Sequence, residues 1–213
     1  NKTVSVEAVV ADDNGVADLA SVVLSFNSST IAMSKKSEIN STAAVYSAAF
    51  NLSSSFPAGN YGITVTAADS TGFTANSSSQ FEYLTLTAVD VDASSIVFYA
   101  SPGSTYEVVG DNSTSTATNI TILNSGNVQL DFDVWSTNFT AGSSIVEASR
   151  LQYTFNGNYN DAAFGGNMTN TKARKDINLN PGFMRGLSIK LRLPLATVPG
   201  NYSGVISLVA VNS

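Results

Sequence analysis

Acidic side chains are the first place to look for chemistry in this sequence. Asp12, Asp13 and Asn14 crowd one short loop, Asp69, Ser70 and Thr71 another, and Asp90 and Asp92 flank Val91. Carboxylate, amide and carbonyl oxygens are the hard ligands that calcium gathers six to eight at a time. Asp12, Asp13, Asn14, Asp69, Asp90 and Asp92 are therefore the calcium candidates, with Asp90 and Asp92 placed to stiffen a domain junction; no cofactor is expected to be required. None of these groups holds a full ligand set or EF-hand spacing, and Asp and Asn equally open turns. Asp131 and Asp133 stand two apart in a strand, so they project from one face about 7 Å apart. That separation lies inside the ~6.5–9.5 Å of an inverting glycosidase pair. Phe132 and Val134 take the buried face, however, which puts both acids on an exposed sheet surface with no pocket to raise a carboxyl pKa.

The second chemistry is modification of asparagine. Ten Asn residues open an N-x-[ST] sequon: Asn1, Asn27, Asn40, Asn51, Asn76, Asn112, Asn119, Asn138, Asn167 and Asn201. With 51 Ser and Thr among 213 residues, about five would arise by composition alone. The excess points to N-linked glycans on an exported protein.

Absences narrow the chemistry further. The chain has no His and no Cys, which removes the Ser/His/Asp triad, the Cys nucleophile and the usual zinc ligands. The expectation is a protein that is not an enzyme. A formal net charge of −6 with 12% charged residues does not suit nucleic-acid binding. No apolar run approaches the ~18 residues of a spanning helix, so no transmembrane segment is expected. Zero Cys argues against a disulfide-stapled eukaryotic module and favours a prokaryotic, more specifically archaeal, exported protein. The chain opens Asn1-Lys2-Thr3 directly into a strand, which reads as an ectodomain whose signal and any anchor lie outside it.

The elements that must position these residues show period-2 alternation. Val4, Val6, Ala8 and Val10 alternate with Ser5, Glu7 and Val9; Tyr46, Ala48, Phe50 and Leu52 share a face, as do Tyr61, Ile63, Val65 and Ala67. In the second half Ile120, Ile122, Val128, Leu130, Phe132 and Val134 flank the turn Asn124–Asn127, and Leu187, Ile189, Leu191 and Leu193 alternate with polar residues. Such strands, separated by Asp/Asn/Gly/Pro turns, describe antiparallel sandwiches. Ser143 to Leu151 alone has a helical look, and Asn170 to Gly186 carries no clear pattern. Pro57-Ala58-Gly59-Asn60-Tyr61 recurs in outline as Pro199-Gly200-Asn201-Tyr202, each delivering a Tyr to a strand start with its hydroxyl placed to bond back to the turn. Two such turns imply two sandwich domains, 1–88 and 89–213, the second with a long Gly/Asn-rich loop at 156–171. That loop, carrying Tyr159 and Phe164, reads as a contact surface or a passive insertion; Lys172-Ala173-Arg174-Lys175 follows it as a solvated edge. Trp135 offers a ring for sugar stacking or belongs to the core. Lys2, Lys190, Asn201 and Glu7 have the residue types of a Lys–Asn isopeptide crosslink beside an acid.

The segment Val4–Phe26, with Asp12-Asp13-Asn14-Gly15-Val16 and Ser21-Val22-Val23-Leu24, resembles the opening of Ig-like or fibronectin type III-like modules of prokaryotic surface proteins. Pro57–Gly72 resembles their closing strand and loop. Asn119–Asn127 with the terminal Pro199-Gly200-Asn201-Tyr202 is similar to Ig-like domains of archaeal surface proteins. The resemblance implies an all-β fold of two tandem Ig-like antiparallel β-sandwiches and an extracellular, cell-surface location. It implies a structural or adhesive role in an S-layer or surface ectodomain, with neighbouring copies or other surface proteins as partners. It also implies that Val4–Val10 is a second strand whose first is lacking, and Tyr202–Val211 a sixth strand whose last is lacking. A vacant edge invites strand addition, so a filament subunit is the alternative. A carbohydrate-binding or spacer module of a secreted enzyme is the third reading.

Overall fold

A computed structural model describes residues 2–116 and 118–213. The chain divides into two compact units, Asn1–Leu84 and Thr85–Ser213. Residues 85–88 go with the second unit because the Leu86 N–H donates to Asn127 Oδ1 at 2.5 Å and the Ala88 carbonyl accepts from Ser125 and Gly126. A Cβ at Gly126 would lie 2.1 Å from the Leu86 carbonyl oxygen, so this close approach of two backbones requires glycine.

The first unit has seven strands: β1 (Lys2–Ala11), β2 (Leu19–Phe26), β3 (Ser29–Ala32), β4 (Ser34–Asn40), β5 (Ala43–Leu52), β6 (Gly59–Asp69) and β7 (Thr74–Tyr83). They form two antiparallel sheets, β1-β5-β4 and β3-β2-β6-β7. Val6 of β1 is buried against Val22 and Leu24 of β2 and Ala67 of β6, with Val4, Ala8 and Val10 packed around them, as the alternation requires. Phe26 of β2 stacks on Phe50 of β5 at 4.5 Å between ring centres and also meets Phe56, Tyr61 and Phe81. The core therefore lies between the two sheets, with a knot of rings at one end. Asn27 and Ser28 both take left-handed φ values, 46° and 62°, in the two-residue turn joining β2 to β3.

The second unit contains β8 (Val89–Val91), β9 (Thr105–Val108), β10 (Thr121–Asn124), β11 (Leu130–Ser136), β12 (Phe139–Ala141) and β13 (Ser144–Val146). Then come β14 (Leu151–Thr154), β15 (Gly165–Asn167), β16 (Ala173–Leu179), β17 (Met184–Gly186), β18 (Ser188–Arg192) and β19 (Ile206–Asn212). The principal sheets are β16-β11-β19 and β15-β14-β18-β9, with β17-β10-β8 beside them and β12-β13 as a small hairpin, all antiparallel. Phe132 of β11 stacks on Phe155, just past β14, at 5.8 Å, so the core again lies between sheets. Both units are antiparallel β-sandwiches, and the described residues hold no α-helix.

Several expectations need correcting. Ser143–Leu151 is the strand β13 and a 3-10 turn at Ala148–Arg150 instead of a helix. The turn Asn124–Asn127 carries the chain between sheets, since β10 pairs with β17 and β8 while β11 pairs with β16 and β19. Asn124 fixes that turn: fully buried, its Nδ2 donates to the Val128 and Leu179 carbonyls, each at 2.8 Å, and its Oδ1 accepts from the Gly126 N–H. The unpatterned stretch Asn170–Gly186 supplies β16 and β17. Residues 96–100 alternate inward Ile96, Phe98 and Ala100 with outward Val97 and Tyr99, yet belong to no strand. The two Pro/Gly turns behave alike: Tyr61 OH donates to the Pro57 carbonyl and Tyr202 OH to the Val198 carbonyl, both at 2.8 Å.

Candidate functional site

The loops at one pole of the first unit meet. A 3-10 turn at Val16–Asp18 and a register shift between Leu19 and Ser21 bring Asp18 beside Asp12 and Asp69, with one oxygen of each carboxylate lying within 4.8 Å of the others. Gly15, at φ +106°, makes the bend that allows this. Asp18 is a partner that the spacing did not reveal, because Asp13 and Asn14 are closer in sequence to Asp12. Asp13 is exposed and stands outside the trio, and Asn14 enters only through its backbone N–H, which donates to Asp12 Oδ1 at 2.8 Å. Burial pushes the Asp69 carboxyl up, but donors from Thr71, Phe73 and Gly72 outweigh it and hold the group below its ordinary value. Ser70 donates to Asp18. Three hard oxygens are half or fewer of those calcium takes.

The other acidic candidates are Asp90 and Asp92. Both lie in the second unit, where Asp90 of β8 faces Leu123 of β10 and Asp92 Oδ1 accepts from the Thr121 N–H at 2.7 Å. The other Asp92 oxygen is buried and has no hydrogen-bond partner. β8, which carries Asp90, opens at Val89, shortly after the second unit begins at Thr85. Asp111 anchors the neighbouring loop. Thr116, then Thr121, the Ser113 N–H and Asn119 all donate to it, and together they lower its carboxyl to about 2.

The outer face of β11 also departs from expectation. Asp131 is only 5% exposed, because Arg174 and the Asn178 N–H of β16 close over it at 3.8 and 2.9 Å. Arg174 Nε also reaches Asp133 at 3.1 Å. These acids are a structural ion-pair network, with the basic run after the long loop as its other half. Trp135 shares their outward row, half-buried, with the Lys172 ammonium 5.0 Å from its ring centre, so it is a capped surface ring and stands outside the core.

The long loop is docked. Tyr159 OH donates to Glu107 at 2.8 Å, Lys190 Nζ lies 3.7 Å from the Tyr159 ring centre, and Lys175 Nζ donates to the Ala162 carbonyl at 2.6 Å. Burial and the Glu107 charge push the Tyr159 hydroxyl far above its ordinary value. Of the residue types for an isopeptide crosslink, Lys2 and Glu7 belong to the first unit and Lys190 and Asn201 to the second. Glu7 pairs with Lys36, and Lys190 lies 3.6 Å from Glu107.

Among the sequons, Asn1 lies outside the described residues. Asn27, Asn40, Asn51, Asn76, Asn112, Asn167 and Asn201 are exposed. Asn40 Oδ1 accepts from the N–H and hydroxyl of Thr42, holding its sequon in a turn. Asn119 and Asn138 are half-buried; Asn119 Nδ2, the atom that would carry a sugar, donates to Asp111 at 3.2 Å. Asn138 Oδ1 accepts from the Ala148 N–H.

The sheet edges differ in how they are guarded. Exposed edge strands are normally blunted by charge, bulges or shortness. In the first unit β4 is fully exposed, carries Lys35, Lys36 and Glu38 and breaks register twice; β3 has four residues; β7 is polar through Thr74–Gln80 and holds the Asn76 sequon. β1 pairs with β5 through all ten residues without a break and leaves its other edge free. In the second unit β16 carries Arg174, Lys175 and Asp176 beside a register shift, and β15 and β9 have three and four residues. β19, seven residues without a charge, pairs only with β11. Each bare edge borders a slot between sheets. One of about 390 Å³ lies between β1 and β7, lined by Val4, Val6, Ile63, Val65 and Phe81. The other, about 460 Å³, lies beside β19, lined by Ile96, Phe98, Ile189, Ile206 and Leu208.

No protein-family model and no curated protein matches this chain. A solved structure titled "Structural basis for the promiscuous specificity of the carbohydrate-binding modules from the beta-sandwich super family" aligns over 100% of this chain and 99% of its own at 8% identity and a TM-score of 0.25. A superposition that loose carries no argument about ligand or role. No helix among the described residues is long and apolar enough to cross a membrane.

Proposed function

We propose that this chain is a non-enzymatic structural or adhesive component of a prokaryotic cell surface, archaeal in origin, extracellular and N-glycosylated, built from two Ig-like sandwiches. The observation that carries this reading is the placement of Asn27, Asn40, Asn51, Asn76, Asn112, Asn167 and Asn201, seven exposed sequons spread over both units. Glycans there would wet a surface poor in charge and shield polar edges such as β7. Glycopeptide mapping of protein from its source tests it. The expected result is hexose-spaced mass on Asn27, Asn40, Asn76 and Asn201 with Asn119 bare; all sequons bare would overturn it. Calcium is not required by this reading. A melting temperature of the first unit that falls on chelation would add it as a ligand of Asp12, Asp18 and Asp69.

Within the same reading the chain is a subunit of an extracellular assembly joined by strand addition, favoured by the free β1 edge and the slot beside it. A carbohydrate-binding role would place its sugar on Trp135. The Lys172 ammonium already occupies that ring, and tryptophan quenching by a glycan panel is the test.

A further inference from the structure

We propose that the slot beside β19 is an acceptor groove for one extended strand of a partner protein, a tail that is uncharged and apolar at alternate positions. The site lies within the second unit and adds a partner to the surface reading without depending on assembly through β1.

Three observations carry it. The first is a row of unpaired backbone groups along β19. Opposite residues of an antiparallel pair alternate between those that exchange hydrogen bonds and those that do not. The Thr137 N–H donates to the Val205 carbonyl at 2.9 Å and the Ser213 N–H to the Gln129 carbonyl at 3.2 Å, both in the register that pairs β11 with β19. Odd-numbered residues of β19 therefore bond to β11, and the backbone groups of Ile206, Leu208 and Ala210 point to the free edge. The side chains of these three residues pack inward against the core. A strand laid beside β19 with its own apolar row inward meets those backbone groups in either direction. Antiparallel, its inward residues exchange bonds with them; parallel, its outward residues do.

The second observation is the opposite wall of the slot. Ile96, Phe98 and Ala100 pack inward, and Phe98 meets Tyr106 of β9 edge to face at 6.1 Å, yet residues 93–100 belong to no strand. Among the described residues, 93–100 make no hydrogen bond with another stretch of backbone. Ile96 and Phe98 line the slot of about 460 Å³ on this side, Ile206 and Leu208 on the other. A second cavity of about 300 Å³ shares Ile96 and Phe98 and runs past Tyr99 to Asn201 and Tyr202. The segment thus runs antiparallel to β19 and is separated from it by a gap. Unpaired backbone beside an apolar cavity is costly, and a strand added in the gap relieves that cost.

The third observation defines the occupant. No charged residue lines either cavity, so an inward charge on the added strand would be buried without a partner. Every strand among the described residues is already paired along at least one edge, whereas a strand entering a gap walled on both sides must be free along both. The occupant is therefore a segment unpaired in its own protein, entering as a peptide adds to a sheet edge.

The test uses the 213-residue chain and a fluorescent peptide matching the seven residues of β19 in length, with Val at its second, fourth and sixth positions, Thr between them and Lys at both ends. Its anisotropy should rise to saturation. A peptide of the same composition with the alternation broken loses the inward face, and one N-methylated at its Val residues loses the donors along one edge. Each should bind about tenfold more weakly or worse. Ser95→Arg sets a charge at an exposed position of the slot wall and should weaken binding as much, with melting and circular dichroism unchanged. Amide exchange read by NMR should show Ile206, Leu208 and Ala210 gaining protection with peptide, and Ser207 and Val209, already held by β11, unchanged. Absence of saturable binding, equal binding of the three peptides, or Ser95→Arg without effect overturns the proposal. So does protection gained at β1 instead, or amides of Ile206, Leu208 and Ala210 protected before peptide is added. Occupied sequons without peptide binding would refute the groove and spare the surface-glycoprotein reading; peptide binding with bare sequons would do the reverse.

Discussion

The two units solve the same problem with different means. The second buries a broad core, including Phe132, Tyr153, Phe155, Leu130, Leu151 and Ile189, and threads polar groups such as Asn124 and Thr121 through it. The first buries Val6, Val22, Leu24, Met33 and Ala67 in its main cluster and concentrates rings at one pole around Phe26. The contrast suits their strands. The first unit has long, regular strands that need little beyond alternation, whereas the second has short strands in several sheets that must be pinned at crossovers. What they share is a corner tyrosine and one bare edge.

Breaking the cores should give the largest effects. Phe132→Ala, at a fully buried stacked ring, should destabilise the second unit by about 3–5 kcal/mol, and Phe26→Ala the first by about 3 kcal/mol. Denaturant titration followed by hydrogen exchange in each unit checks that each loss stays in its own unit. Asn124→Ala should cost about 2–3 kcal/mol, because two buried carbonyls lose their donor and the Gly126 N–H its acceptor. A loss as small as that of a surface residue would remove the crossover pin from this account. The shared corner makes a matched pair: Tyr61→Phe and Tyr202→Phe should each cost about 1 kcal/mol in their own unit.

The smallest effect is one of pH. The Asp111 carboxyl is lowered from 3.8 to about 2, so its contribution to the second unit is complete above pH 3.8 and disappears as pH falls through about 2. Acid titration of stability should show the unaltered chain and Asp111→Asn separated by a constant amount above that window and converging below it. A separation that persists below pH 2 would contradict the hydrogen-bonded cradle as its cause.

Local pattern made much of this legible in the sequence. Alternation placed Val4–Val10 and Leu187–Leu193 on their inward faces, and the two Pro/Gly turns announced tyrosines whose hydroxyls close the corner. The features that escaped depend on distant segments. Asp131 looks solvated in its own strand because the strand that covers it begins some forty residues later, in a stretch without clear alternation. Asp18 joins Asp12 and Asp69 through a 3-10 turn and a register shift, neither of which has a periodic signature. Residues 96–100 have the alternation of a strand and lack the partner, so periodicity alone reports burial there and not pairing. Edge protection became readable only when strand order showed which strands are outermost.

Concentration-dependent hydrogen–deuterium exchange of the whole chain tests the central claim most directly. The account predicts that amides of β1, the free edge beside its slot, gain protection as concentration rises, while those of the guarded edges β4 and β7 do not change. Protection gained at β4 or β7 and not at β1, or at no edge, would contradict it.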